Sequence, residues 1–132
     1  MPPRPPGTII RQAHYPGRAP IDAYGNGGFR FAEMSHRGSI LCIPSGIYGW
    51  AVPGFDEIDA AALRRVFEEA AAIDILLVGV GMETRRLSPS LAEQLRGAAI
   101  SADAMTTGAA VRTFNVLLAE ERRVAAALIA VD

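Results

Sequence analysis

The chain has 132 residues, half of them hydrophobic and a fifth charged, the composition of one folding domain rather than of a disordered or membrane-embedded chain. Its 13 basic residues, from Arg4 to Arg123, are all arginine, and 14 acids leave a formal charge of −1. Without lysine there is no P-loop and no Schiff-base or pyridoxal chemistry, and the near-neutral balance argues against the salt-sensitive phosphate contacts of a nucleic-acid-binding protein.

Four prolines within the first six residues favour extended polyproline geometry, so residues 1–8 are expected to form an unpacked leader and residues 9–132 a single α/β domain. The leader has no apolar h-region, and no later segment approaches the roughly 18 apolar residues of a spanning helix. A cytoplasmic protein without membrane insertion is expected. Cys42 is the only cysteine. It can make no internal disulfide, and its apolar surroundings predict a buried, inert thiol.

The first third reads as β-structure. Ile21-Asp22-Ala23-Tyr24, the Gly25-Asn26-Gly27-Gly28 turn and the alternating Phe29-Arg30-Phe31 predict a hairpin, and a second turn is expected at His36-Arg37-Gly38. Ser39 to Pro44 is apolar enough for a strand covered on both faces, and Ser45 to Trp50 reads either as a short strand or as a shaped loop. From Asp59 to Ala72 a helix is predicted, with Leu63, Val66, Phe67 and Ala70 on its inner face. Ile73 to Val80 reads as a buried strand. Ser88 before Pro89 announces a second helix with Leu91 and Leu95 on its face. Ile100 to Met105 reads as a short strand, Thr106-Thr107-Gly108 opens a third helix, and the apolar run Val124 to Val131 reads as a central or near-central strand. That alternation predicts a three-layer α/β fold with a mixed, largely parallel sheet, about three helices and the N-terminal hairpin as a further layer. If the last strand lay at an edge instead, it would pair with a second copy.

Motifs for catalysis are sparse. Gly79-Val80-Gly81 follows a strand, but the third glycine of a dinucleotide fingerprint would fall at Thr84, and no helix opens there; a tight strand exit is the better reading. No serine sits in a nucleophile elbow. His14 and His36 are far apart in sequence with no acid beside them and no cysteine cluster, so both are expected at the surface, and neither a metal nor a cofactor is expected.

What remains is the segment from Thr106 to Asn115. Thr106 or Thr107 can cap the helix, Gly108 lets another group approach the first-turn amides, and Arg112 and Asn115 lie about one turn or more further along. With parallel strands, this helix start and the loop holding Glu83 both lie outside strand carboxyl ends, where open α/β sheets form crevices. Thr106, Thr107, Gly108, Arg112, Asn115 and Glu83 are therefore candidate residues of a crevice, with Tyr48 and Trp50 at its rim. A partner's carboxylate or a small anion suits that chemistry. The structural alternative has the threonines as caps and Arg112 in an ion pair with Glu83 or Asp103.

The same residues carry a resemblance. Gly27-Gly28-Phe29-Arg30-Phe31, Gly38 to Leu41, Leu76 to Gly81 and above all Thr107-Gly108-Ala109-Ala110-Val111-Arg112-Thr113-Phe114-Asn115-Val116-Leu117-Leu118 resemble the small domain shared by mitochondrial complex I assembly factor 3 and the adipogenesis-associated domain protein, which has single-domain bacterial relatives. The likeness runs from about Ile9 to Val131. It implies a compact three-layer α/β fold and, from the mitochondrial member, a non-enzymatic role in assembly. A binding or assembly module with a protein partner is the function this favours; an anionic-metabolite binder or enzyme with Arg112 as its clamp is the alternative.

Overall fold

A computed structural model describes residues 14–132, so the proline-rich leader expected over residues 1–8 lies outside the described residues. The centre is a five-stranded mixed sheet of β4 (Ser39–Ile43), β5 (Gly46–Trp50), β6 (Ile75–Gly79), β7 (Ser101–Met105) and β8 (Val124–Leu128), in the order β5-β4-β8-β6-β7. β6 runs parallel to both β7 and β8, whereas β4 is antiparallel to β5 and β8. β8, made of Val124-Ala125-Ala126-Ala127-Leu128, is buried throughout with a hydrogen-bonded neighbour on each side, as expected of a run with no polar residue. It therefore offers no edge to a second copy.

Each face of the sheet carries its own apolar cluster. On one, Leu76 and Val78 of β6 pack with Leu63 and Val66 around α1 (Arg64–Glu68) and with Leu91 and Leu95 of α2 (Pro89–Gly97). On the other, Leu77 packs with Val111 and Phe114 of α3 (Thr107–Ala119) and with Phe29 and Phe31. The period-2 alternation of β6 sends neighbouring residues to opposite clusters, which gives three layers.

Phe29 and Phe31 come from a separate three-stranded meander, β1 (Ile21–Gly25), β2 (Gly28–Phe31) and β3 (Met34–Arg37). The Asn26-Gly27 turn has φ of 54° and 79°, the two positive values of a type I′ hairpin. The expected hairpin is thus one strand short. His36 lies in β3 rather than in a turn, because the connection is the two-residue Ala32-Glu33 loop, whose φ values of 47° and 64° make another primed turn without glycine or asparagine.

The helix expected from Asp59 to Ala72 is shorter than its periodicity suggested. Only Arg64–Glu68 is α-helical, followed by a 3-10 turn at Ala70–Ala72. The Ala62 carbonyl accepts from the indole nitrogen of Trp50 at 2.8 Å, and the Glu69 carboxylate accepts from the Ser45 amide and hydroxyl at 2.9 and 2.6 Å. Neither end of α1 has a side-chain cap. The stretch from Gly46 to Trp50 is resolved as a strand, β5, paired with β4 along its length.

Candidate functional site

The residues of the third-helix motif meet where the carboxyl ends of the three parallel strands converge. Thr106 is the N-cap of α3, its hydroxyl accepting from the Ala109 amide at 3.4 Å. Thr107 is completely buried. Its hydroxyl donates to the Ile129 carbonyl at 2.7 Å and accepts from the Gly81 amide at 3.1 Å, while its own amide donates to the Gly81 carbonyl at 2.9 Å. One side chain thus ties the residue after β8 to the loop after β6 at the start of the helix that follows β7. The Val80 amide is also spent, on the Met105 carbonyl. Gly79-Val80-Gly81 is a strand exit, with the Val80 amide on the Met105 carbonyl and the Gly81 amide on the Thr107 hydroxyl.

At Gly108 the glycine admits a neighbour rather than a ligand. The phenol of Tyr24, from β1, lies on it, and a Cβ there would overlap the Tyr24 hydroxyl. The Thr107, Ala109 and Ala110 amides of the first turn of α3 donate internally, and Tyr24 lies over Gly108 between them. Asn115 is a second fastener. Its side-chain amide donates to the Ile21 carbonyl and its carbonyl accepts from the Ile21 amide, both at 2.8 Å, so it pairs with β1 as another strand's backbone would. It docks the meander onto α3.

Arg112 stands apart. It is exposed, and among the described residues it forms no ion pair; the expected alternatives Glu83 and Asp103 do not reach it. The arginines that do pair are Arg64 with Glu68, Arg85 with Asp56 and Arg123 with Asp74. Helical spacing places Gly108, Arg112 and Val116 in one row. Tyr24, 40% exposed, covers the first position of that row, and Val116 is 58% exposed. Tyr24, Arg112 and Val116 thus form an exposed stripe along α3.

Tyr48 and Trp50 do not join it. Trp50 belongs to the cluster on the opposite face of the sheet from α3 and Tyr48 packs against that cluster, with the Arg65 guanidinium 4.3 Å over the Tyr48 ring. They are expected at the rim of the crevice, but β5 is an edge strand that turns these rings toward α1. Glu83 sits next to the strand exit, on a shallow hollow of about 340 Å³ shared with Phe55, Met82 and Arg85. Met82 there is 74% exposed.

Two groups went unread in the sequence. Tyr24 carries no motif of its own. His14 and His36, 22 positions apart, have ring centroids 4.6 Å from one another; no spacing rule links a residue before β1 to one on β3. Burial, then the neighbouring His14, holds the His36 imidazole below its ordinary value, with the Ser39 backbone acting the other way. Burial pushes the Cys42 thiol far up, which fits the inert role expected of it.

The family model described as protein of unknown function (DUF498/DUF598) matches residues 21–129. An uncharacterized protein of Rhodobacter capsulatus is 41% identical over 129 residues, spanning 98% of this chain and 93% of that one. The NADH dehydrogenase (ubiquinone) 1 alpha subcomplex assembly factor 3 of Xenopus tropicalis is 32% identical over 109 residues, 83% of this chain. The chain spans 60% of that assembly factor's length. A crystal structure of an outer membrane protein from Bartonella henselae superposes with a TM-score of 0.87 at 61% identity, covering 90% of this chain and all of that one. Among the described residues here, no helix is long and apolar enough to cross a membrane. The resemblance carried by the third-helix motif is borne out.

Proposed function

We propose that this chain, which belongs to the family described as protein of unknown function (DUF498/DUF598), is a non-enzymatic binding and assembly module that docks a protein partner on the stripe of Tyr24, Arg112 and Val116. The observation that carries the proposal is the division of labour within one motif. Thr106, Thr107, Gly108 and Asn115 are each committed to an internal contact, whereas Arg112 is exposed and ionically unpaired among the described residues. Tyrosine and arginine are the side chains that most often anchor protein interfaces, and a neighbouring exposed aliphatic side chain supplies area to bury. An assembly role draws on the likeness to the assembly-factor relatives; a cytoplasmic location is proposed from the sequence's lack of an apolar targeting segment.

Affinity capture from native lysate tests it, comparing the wild-type chain with Arg112→Ala at equal loading. Loss of an interface anchor worth about 2 kcal/mol weakens binding roughly 30-fold, so a partner enriched by the wild type is expected to fall to background. Equal recovery by the two forms removes the stripe from the account.

A further inference from the structure

The His14 and His36 pair lies outside everything assigned above. The two rings belong to different parts of the chain: His14 is held by its amide, which donates to the Ile47 carbonyl at 2.8 Å at the outer edge of β5, and His36 stands on β3. They meet over Gly49 of β5. A Cβ at Gly49 would stand 3.0 Å from His36 Cε1, 3.3 Å from His14 Nε2 and 3.4 Å from His36 Nε2, so both rings bring a nitrogen near the same patch of bare backbone. The centroids are 4.6 Å apart with the ring planes tilted by 44°, which is not a parallel stack.

We propose that His14 and His36 form a two-imidazole clip for a divalent late transition-metal ion, Zn2+ or Cu2+, seated over Gly49. Imidazole is the side chain best suited to those ions. With metal–nitrogen bonds of about 2.0–2.1 Å, two imidazoles at angles between 90° and tetrahedral have ring centroids about 4.5–5.2 Å apart, and the observed separation lies at the short end of that window. Among the described residues no group of three histidine, cysteine or acidic side chains is assembled, so the remaining coordination positions are open to water or to a partner's side chain. The sequence gives no sign of this site, since neither histidine has a ligand-like neighbour in the chain.

The test is a titration of chelator-treated full chain with Zn2+, followed by NMR of the histidine ring resonances. Both rings are expected to shift together and to saturate with one equivalent. His14→Ala, at an exposed position, is expected to keep the fold and to weaken Zn2+ binding at least tenfold. Gly49→Ala gives a second variant in which both rings remain but the seat over the backbone is filled, with the same expected loss. Rings that titrate at different Zn2+ concentrations, rings that do not shift, or a His14→Ala chain that binds within twofold of wild type would each overturn the proposal.

Discussion

Within one helical turn the chain places a threonine that belongs to the fold and an arginine that the fold does not use. Thr107 satisfies two backbone groups from two other segments, and replacing it by valine keeps the shape while leaving the Gly81 amide and the Ile129 carbonyl without that partner. A loss of about 1–3 kcal/mol is expected in urea unfolding, with Thr107→Ser largely restoring it. Asn115→Ala is expected to cost a similar amount by releasing both hydrogen bonds to Ile21. Arg112→Ala is expected to stay within about 0.5 kcal/mol of wild type, because an exposed side chain without an ion pair leaves nothing stranded. A buried pair there would instead cost about 3–5 kcal/mol. His36 gives the pH dependence. Its folded value is lowered, so the unfolded chain takes up the proton first; the associated stability is present above the ordinary value of 6.5 and is lost as pH falls through it toward the lowered one. Unfolding free energies at pH 7.5 and 5.5 should differ less in His36→Gln than in the wild type. The polar residues of the motif were visible in the sequence, but their roles were not. A hydroxyl or amide at a strand's carboxyl end can face a ligand or distant backbone, and the partners that decide it, Ile21 and Ile129, lie 94 and 22 positions away.

Elements with strong local signals were legible. Ser88 before Pro89 marks the start of α2, where the Ser88 hydroxyl accepts from the Leu91 amide at 3.2 Å, and the Asn26-Gly27 turn marks the first hairpin. Elements defined by tertiary contacts were not. The α1 region has a helical apolar pattern, yet Trp50 and Ser45 reach it from β5 and the adjoining loop and take up Ala62 and Glu69. β3 was hidden because its turn is Ala32-Glu33, two residues that rarely occupy positive φ. Changing that pair to Asn-Gly through Ala32→Asn with Glu33→Gly supplies residues suited to the same backbone, and a gain of up to about 1 kcal/mol is expected by thermal or urea unfolding.

At the scale of the molecule, the alternation of helices and strands was enough to define a layered α/β fold with a mixed sheet, whereas the apolar last strand left a central place and an edge both open until its neighbours β4 and β6 decided for the centre. The sequence did not separate the two faces of that sheet. Tyr48 and Trp50 sit with α1 on one face and the α3 motif lies on the other, so a set of residues that looked like one crevice divides in two. On the α3 side Arg112 and Val116 are exposed beside Tyr24, and the proposal is that a protein partner docks there. The most direct test of that claim places a photoreactive phenylalanine analogue at Val116 on the stripe, with Gln94 on the exposed side of α2 as the control position, and irradiates the chain in native lysate. A discrete protein adduct is expected from position 116 and not from 94, and it should disappear when Arg112→Ala is added. No adduct at 116, or the same adduct with equal yield from 94, would contradict the assignment of this face to a partner.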